Sequence, residues 1–159
     1  MRTLAEVRVQ VADFDLGKEY ARVRELAPGA GAIASFVGCV RDLAEGNDVA
    51  TLELEHYPGV TEASVRKVAE EALRRWPIDA LTIIHRIGEL GPADQIVLVL
   101  TASAHRQAAY DANRFVMDYL KTRAVFWKKE RRADGAYWIE SRPDDHAAAA
   151  DWRTHAPFD

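Results

Sequence analysis

The sequence predicts an α+β fold in a single domain spanning residues 1–159. Three segments repeat apolar residues at helical spacing, and about seven shorter segments have the composition or alternation of strands. These segments follow one another irregularly instead of alternating as βαβ units, which favours a mixed or antiparallel sheet. With 159 residues, of which 48% are apolar, the chain can bury about 70% of its unfolded surface in one core. No second domain is needed.

Strand-type segments begin near the N-terminus, where residues 6–11 alternate polar and apolar side chains. Small and β-branched residues between glycines mark the second segment. The predicted strands are 6–11, 32–40, 51–57, 80–87, 95–101, 126–131 and 136–140. Residues 88–92 (GELGP) are predicted to be a turn, and the last two strands are predicted to form a hairpin around Asp134-Gly135.

Helical spacing predicts three helices, over residues 15–26, 61–76 and 104–122. Thr61 and Ser103 are the predicted N-caps of the second and third helices, and Pro77 ends the second. The predicted buried stripes are Leu16, Tyr20, Val23 and Leu26; Val65, Val68, Ala69, Ala72 and Leu73; and Ala108, Ala112, Phe115, Val116 and Tyr119. Residues 143–159, rich in Ala and Asp, form a tail without a clear pattern.

Composition excludes several classes of protein. No apolar run approaches the ~20 residues that span a bilayer, and the first residues lack the pattern of a secretory signal, so we expect a cytoplasmic protein. Cys39 is the only cysteine, and the five histidines form no HExxH motif or close His/Cys pair, so we expect neither a disulfide, nor a metal site, nor a cofactor. The net charge of −4 argues against a general nucleic-acid binder.

Residues 121–132 (KTRAVFWKKERR) are unusually basic, with six Lys or Arg against the single Glu130. Such a cluster is typical of a site for an anionic partner, although a solvated basic face at a helix C-terminus gives the same composition. Phe126 and Trp127 within the run favour a pocket, since they supply apolar walls. Neighbouring cations disfavour the ammonium form of Lys121 or Lys128, which favours nucleophilic or proton-accepting roles. Strand alternation should place Lys128 on the face opposite Trp127 and Lys129.

A second candidate site lies at the start of the third helix, where Ser103-Ala104-His105-Arg106 combines unpaired backbone N–H groups with His105 and Arg106. This is a plausible phosphate cradle, and ordinary capping with exposed polar residues is the alternative. Arg106 and Lys121 are separated by 15 residues of helix, or ~22 Å at 1.5 Å per residue. One small ligand cannot touch both within one chain. If both belong to one site, two copies must build it, most simply in a twofold dimer.

The third candidate is Cys39-Val40-Arg41, at a strand end that opens onto residues 42–48 (DLAEGND). An arginine there can bind phosphate or carboxylate, or it can pair with an acid of that loop. We expect Cys39 to be a small buried hydrophobic residue, which is the usual role of a lone cysteine on a strand, although a nucleophile is the alternative. His85 is expected to be structural.

Five segments in order resemble one known family, the large subunit of molybdopterin synthase. They are GAIASFVGCVRD (31–42), LELEHYPGVTE (52–62), RWPIDALTIIHRIGEL (75–90), TASAHR (101–106) and MDYLKTRAVFWKKE (117–130). The resemblance implies a hammerhead-like fold and a sulfurtransferase of molybdenum cofactor biosynthesis. A small ubiquitin-like subunit with a thiocarboxylated Gly-Gly C-terminus would be the partner. Its sulfur would pass twice to cyclic pyranopterin monophosphate, and a homodimer of large subunits would form the centre of a heterotetramer.

The resemblance also implies roles for individual residues. Lys121 and Lys128 would be the catalytic lysines, and His105 and Arg106 would reach the substrate from the neighbouring subunit. The remaining substrate-binding candidates are Cys39, Val40, Arg41, Lys129, Glu130 and Arg142. Two departures from the family are Val125, where a proline is expected, and Cys39, so a thiol is not expected to be required. The alternative function is a non-enzymatic module that binds nucleic acid or a phosphorylated pterin or nucleotide.

Overall fold

In the computed structural model, residues 4–41, 49–124, 126–132, 134–139 and 143–152 are described. The strands are β1 (Leu4–Gln10), β2 (Ala32–Cys39), β3 (Val49–His56), β4 (Ile78–Arg86), β5 (Gly88–Leu90), β6 (Gln95–Ser103), β7 (Phe126–Arg132) and β8 (Gly135–Ile139). The helices are α1 (Leu16–Leu26), α2 (Val60–Arg75), α3 (Arg106–Leu120) and α4 (Pro143–Asp151). This is an α+β arrangement, as the irregular order of segments predicts.

The first sheet carries the main core. Its strand order is β1-β4-β6-β2, with β1 parallel to β4 and the other pairs antiparallel. Helices α2 and α3 pack on one face around Val68, Phe115 and Tyr119, all fully buried. Helix α1 packs on the other face through Val23. Because both faces are covered, β4 and β6 are almost continuously buried, which explains their near-continuous apolar sequence.

The second sheet is antiparallel and smaller, with the order β5-β3-β7-β8. Val40, Leu54 and Leu90 form its own small core. The predicted hairpin is confirmed: β7 and β8 pair, and Gly135, the first residue of β8, has φ of +145°, a conformation that glycine adopts without strain.

The prediction of three helices and seven strands omitted two elements. Residues 88–90, predicted as part of a turn, form β5, because the three residues pair with β3. The tail contains α4, which buries Ala149 and is followed by Trp152. Trp152 packs edge-on against Trp76, and its indole N–H donates to Asp118 at 2.6 Å. These contacts are tertiary, so the weak local pattern of residues 143–151 could not reveal them.

Both predicted N-caps are wrong. Gly59, with φ of +81°, caps α2, and its N–H donates to the Glu62 carboxylate at 2.8 Å. The Thr61 hydroxyl instead accepts from the N–H of Tyr57. His105 caps α3 without a side-chain hydrogen bond, and the Ser103 hydroxyl donates to the carbonyl of Pro77. Each hydroxyl instead forms a hydrogen bond with a backbone group outside the helix that it was expected to cap.

The predicted stripe of α1 is also largely wrong. Only Val23 is buried, and Leu16 and Tyr20 are 37% and 43% exposed. The stripes of α2 and α3 are mostly confirmed, since these helices pack against the first sheet and against each other, whereas α1 packs mainly against β4 and β6. Among the described residues no helix is both long and apolar enough to cross a membrane.

Candidate active site

The two candidate catalytic lysines come from different elements. Lys121 is the C-cap residue of α3, and its backbone N–H donates to the Met117 carbonyl at 3.2 Å. Lys128 lies in the middle of β7, between Leu54 of β3 and Ile139 of β8. Hydrogen bonds of a helix end and of a central strand thus position the two backbones.

A buried histidine lies within electrostatic range of both lysines. His85, near the end of β4, is 7% exposed and stacks on Phe126 with ring centroids 3.8 Å apart. Its Nδ1–H donates to the carbonyl of Arg86 at 2.8 Å, because a carbonyl can only accept.

The pKa of His85 is lowered to about 4, chiefly by burial; the hydrogen bond to Arg86 opposes this, and the charges of Lys128 and Lys121 add to it. The imidazole is therefore neutral at neutral pH.

Because the charges of Lys128 and Lys121 both contribute to lowering the pKa of His85, both side chains lie within electrostatic range of that ring. The stacked His85 and Phe126 rings form a wall of low polarity there. Two positive charges beside an apolar wall attract an anion more strongly than they would in open water. The arrangement can bind a carboxylate, thiocarboxylate or phosphate and stabilise negative charge that develops on it.

Strand alternation in β7 is confirmed. Trp127 packs edge-on against Trp138 at 6.1 Å, and the Lys129 ammonium lies over the same ring at 5.0 Å. Phe126 contacts His85 on the other face, and alternation puts Lys128 on that face too. Lys129 therefore points away from Lys128. Glu130 is held by Arg132, which donates to it at 2.7 Å.

Residues 39–41 lead from the first sheet to the second. Val40 is 7% exposed, contacts Leu54 and Leu90, and has its N–H and carbonyl bonded to Asp94 and Ala93. Val40 thus anchors Arg41, which is exposed. Leu54 pairs with Lys128 in the second sheet, so the residue before Arg41 packs against the strand neighbour of Lys128.

The expectation that Cys39 is buried is wrong, because its side chain is exposed. It lies at a register shift after Gly38, at the end of an outer strand, where nothing covers it among the described residues. Residues 42–48, Val125 and Arg142 lie outside the described residues, so the expectations that rest on them stay predictions.

His105 and Arg106 are exposed at the far end of α3. The 15-residue helix separates them from Lys121 by about 22 Å, as the sequence predicts. Within one chain the structure brings together Lys121, Lys128 and the segment leading to Arg41, and it leaves His105 and Arg106 apart.

His85 is the residue whose position sequence reasoning missed. A histidine within the apolar run of β4 gave the only signal, and that signal indicates burial, which is correct. Its stacking on Phe126 depends on contact between the first sheet and β7, which local pattern does not specify.

Comparison with known proteins identifies the family to which this fold and candidate site belong. The family model described as MoaE protein matches residues 9–123. The molybdopterin synthase catalytic subunit of Pseudomonas aeruginosa is 55% identical over 146 residues, covering 92% of this chain and 97% of the relative. The chain belongs to the MoaE family. Its activity is accordingly that of a molybdopterin synthase catalytic subunit, a sulfurtransferase of molybdenum cofactor biosynthesis.

Solved MoaE structures have the same fold. The MoaE protein of Burkholderia ambifaria superposes with a TM-score of 0.82 at 52% identity, covering 94% of this chain and 99% of that one. A chain from the complex of subunits 1 and 2 of molybdopterin-converting factor from Helicobacter pylori gives a TM-score of 0.68 at 19% identity, over 87% and 91% of the two chains. The latter likeness concerns the fold alone.

The family model ends at residue 123, so Lys128 lies beyond it. The match to the P. aeruginosa relative covers 146 of the 159 residues and therefore necessarily includes Lys128. The similarity to MoaE relatives thus extends over both lysines that approach His85.

Proposed function

We propose that this chain transfers sulfur from the thiocarboxylated C-terminus of a small ubiquitin-like subunit to cyclic pyranopterin monophosphate, with Lys121 and Lys128 as the catalytic residues. The observation that carries the assignment is that both ammonium groups act on the buried His85 ring. Two residues seven positions apart, one at a helix end and one on a strand, are thus both within electrostatic range of the same ring.

The charges suit this chemistry. In each transfer the thiocarboxylate sulfur attacks a side-chain carbon of the pterin, and a carbon–oxygen bond at that carbon breaks, so that the oxygen leaves as water or on the phosphate. The product is a thioester between the tail and the pterin. Water then adds to the thioester carbonyl, and an adjacent ammonium stabilises the negative charge on the oxygen of the tetrahedral intermediate. Its collapse breaks the carbon–sulfur bond of the tail, which leaves the sulfur on the pterin and the tail as a carboxylate. Arg41, and Arg106 from a second copy, supply further positive groups for the phosphate end of the substrate, and His105 of that copy supplies a ring N–H donor.

A small-subunit partner is consistent with the H. pylori protein, which was solved as a complex of two different subunits. We propose the same kind of partner for this chain, in a heterotetramer with two large subunits at its centre. Lys129, Glu130, Cys39, Val40 and Arg142 are proposed to line or support the pocket.

The test is conversion of the pterin precursor to the dithiolene product in the presence of thiocarboxylated small subunit. Lys121→Ala and Lys128→Ala are each expected to lower the rate at least about 100-fold, the range for loss of one group that stabilises charge in the transition state. Lys67→Ala, which removes an exposed lysine on α2, is the matched control and should keep the wild-type rate.

Two results would refute the assignment. One is absence of product from folded wild-type protein with a competent small subunit. The other is wild-type rates in both lysine variants. Steeply salt-dependent binding of generic RNA without conversion would instead support the binding-module alternative.

A further inference from the structure

Trp152, which follows α4, is bound to both α2 and α3. Its ring packs edge-on against Trp76 and Phe115, with ring centroids 5.4 Å and 5.7 Å away. Its indole N–H donates to the Asp118 carboxylate at 2.6 Å, and its carbonyl accepts from the Arg75 guanidinium at 3.0 Å. Phe115 is fully buried, and the Arg75 side chain is 7% exposed. Packing and hydrogen bonds together therefore hold the end of α4 against these two helices.

Asp118 lies in the last turn of α3, three residues before Lys121. A carboxylate in this turn is disfavoured by the helix dipole, whose C-terminal end carries partial negative charge. The side chain of Asp118 is only 18% exposed, so water solvates it poorly, and the indole N–H of Trp152 supplies a donor in place of water. The tertiary contact thus accounts for an acidic residue at a position that the helix alone disfavours.

The backbone of Asp118 is also bound to the turn that carries Lys121. Its carbonyl accepts from the Thr122 hydroxyl at 3.2 Å, and the N–H of Lys121 donates to the Met117 carbonyl at 3.2 Å. Lys121 has φ of −70° and ψ of −24°, so α3 does not end there in the left-handed conformation that terminates many helices. Asp118 therefore bonds to Trp152 through its side chain and to the neighbour of Lys121 through its backbone.

We propose that Trp152 and Asp118 are positioning residues for sulfur transfer, because their hydrogen bond fixes the last turn of α3 and thereby holds Lys121 at the active site. The inference rests on the proposed function, since it takes Lys121 as a catalytic residue. Ring packing sets the distance between Trp152 and α3, whereas the hydrogen bond is directional and fixes the orientation of the turn. Orientation matters because a displacement of about 1 Å at a catalytic group can slow a reaction about 100-fold.

The first test measures the turn itself and needs no activity. Trp152→Phe keeps an aromatic ring against Trp76 and removes the N–H donor. Amide hydrogen exchange at residues 121–123 should become about fivefold faster or more, because local opening is limited by the contacts that hold a segment. Exchange in β6 should not change. Asp118→Leu should have the same effect, whereas Asp118→Asn keeps an oxygen acceptor and should exchange as wild type does.

Steady-state kinetics, with thiocarboxylated small subunit and pterin precursor, test the connection to Lys121. Trp152→Phe should lower kcat and kcat/KM together by about tenfold, the pattern for loss of an interaction made in the transition state. Asp118→Asn should stay within about twofold of wild type because the acceptor is retained. In a Lys121→Ala background, Trp152→Phe should cause no further loss, since the residue that it positions is gone.

Val23→Ala is the control for general loss of stability. Val23 is fully buried between α1 and the first sheet, on the face opposite α2 and α3, so its truncation destabilises the fold without reaching the last turn of α3. With all proteins assayed at a temperature at which each is folded, Val23→Ala should unfold in less urea than wild type and keep the wild-type kcat. A loss of kcat equal to that of Trp152→Phe would overturn the proposal.

Three further results would also overturn it. They are unchanged exchange at residues 121–123 in Trp152→Phe, a wild-type kcat in Trp152→Phe while Lys121→Ala is slow, and a further loss when Trp152→Phe is added to Lys121→Ala. A wild-type rate in Lys121→Ala, together with faster exchange in Trp152→Phe, would instead refute the proposed function of Lys121. The contact that fixes the turn would then stand without a catalytic role.

Discussion

At the scale of single residues, His85 shows how burial and charge act together. It occupies an apolar strand, stacks on Phe126, and is neutral because its burial, with a smaller contribution from the charges of two lysines, disfavours the imidazolium. Lys121 and Lys128 therefore lie near a ring that carries no positive charge of its own and that excludes water. We infer that His85 shapes the pocket and does not itself exchange protons near neutral pH.

His85 should make stability depend on pH. Its pKa is about 4 in the folded protein, against an ordinary value of 6.5. Between these values the unfolded chain binds the proton and the folded chain does not, so the free energy of unfolding falls as pH falls from about 6.5 to about 4. The full loss is on the order of 3 kcal/mol. Urea unfolding of wild type and His85→Gln at pH 7 and pH 4 measures it.

His85→Gln should lose less stability over this range than wild type, because glutamine binds no proton. The matched control is His146→Gln, at an exposed position on α4, which should show the wild-type pH dependence. Equal losses in wild type and His85→Gln would contradict the role of burial.

At the scale of elements, the start of β2 and the start of α3 lie in close backbone contact, with the N–H of Gly31 donating to the carbonyl of Ser103 at 3.0 Å. Gly31 has no room for a side chain because the Ala104 carbonyl oxygen occupies the space. The same contact holds the start of α3 against the first sheet. A side chain at residue 31 would therefore disturb both β2 and the start of α3, two elements that are about 70 residues apart in sequence.

Gly31→Ala is expected to destabilise the protein by about 1–3 kcal/mol, the usual cost of inserting atoms into filled space. Gly29→Ala is the matched control: a Cβ there meets nothing within 4 Å, so a change within about 0.5 kcal/mol is expected. Urea unfolding compares the two. Equal stability of Gly31→Ala and Gly29→Ala would show that the backbone at residue 31 moves away freely.

Element boundaries divide clearly into those that local pattern predicts and those that it does not. Alternation and helical period located the longer strands and α1, α2 and α3, because one face of each meets a core. The caps were wrong because Ser103 and Thr61 bond to Pro77 and Tyr57. Strand β5 and helix α4 were missed because a three-residue strand and a weakly amphipathic helix depend on neighbours that lie far away in sequence.

At the scale of the whole molecule, the length of α3 requires two copies of the chain if Arg106 and Lys121 act in one active site, as proposed. In a homodimer of Arg106→Ala, and likewise of Lys121→Ala, every proposed site lacks one of its two required residues. A mixed dimer contains one site with both halves intact. Mixing the two inactive proteins, with small subunit and pterin precursor, should therefore recover about a quarter of wild-type activity after complete exchange, because half of the dimers are mixed and each has one good site.

Mixing Lys121→Ala with Lys128→Ala is the control, since both residues belong to the same half and no intact site forms. Recovery in this control, or none with Arg106→Ala after exchange is confirmed by mass, would show that the site does not use two chains.

The sequence by itself determined the α+β class, the longer elements, the basic segment 121–132 and the separation of Arg106 from Lys121. These follow from local periodicity, composition and the fixed rise of a helix. The resemblance of five ordered segments identified the family, which the comparisons confirm. Only the tertiary structure decided that Lys121 and Lys128 approach one buried histidine, that Cys39 is exposed, and that β2 is an uncharged outer strand. The physical reason is that these depend on the order of strands in a sheet and on the packing of two sheets, which no local pattern encodes.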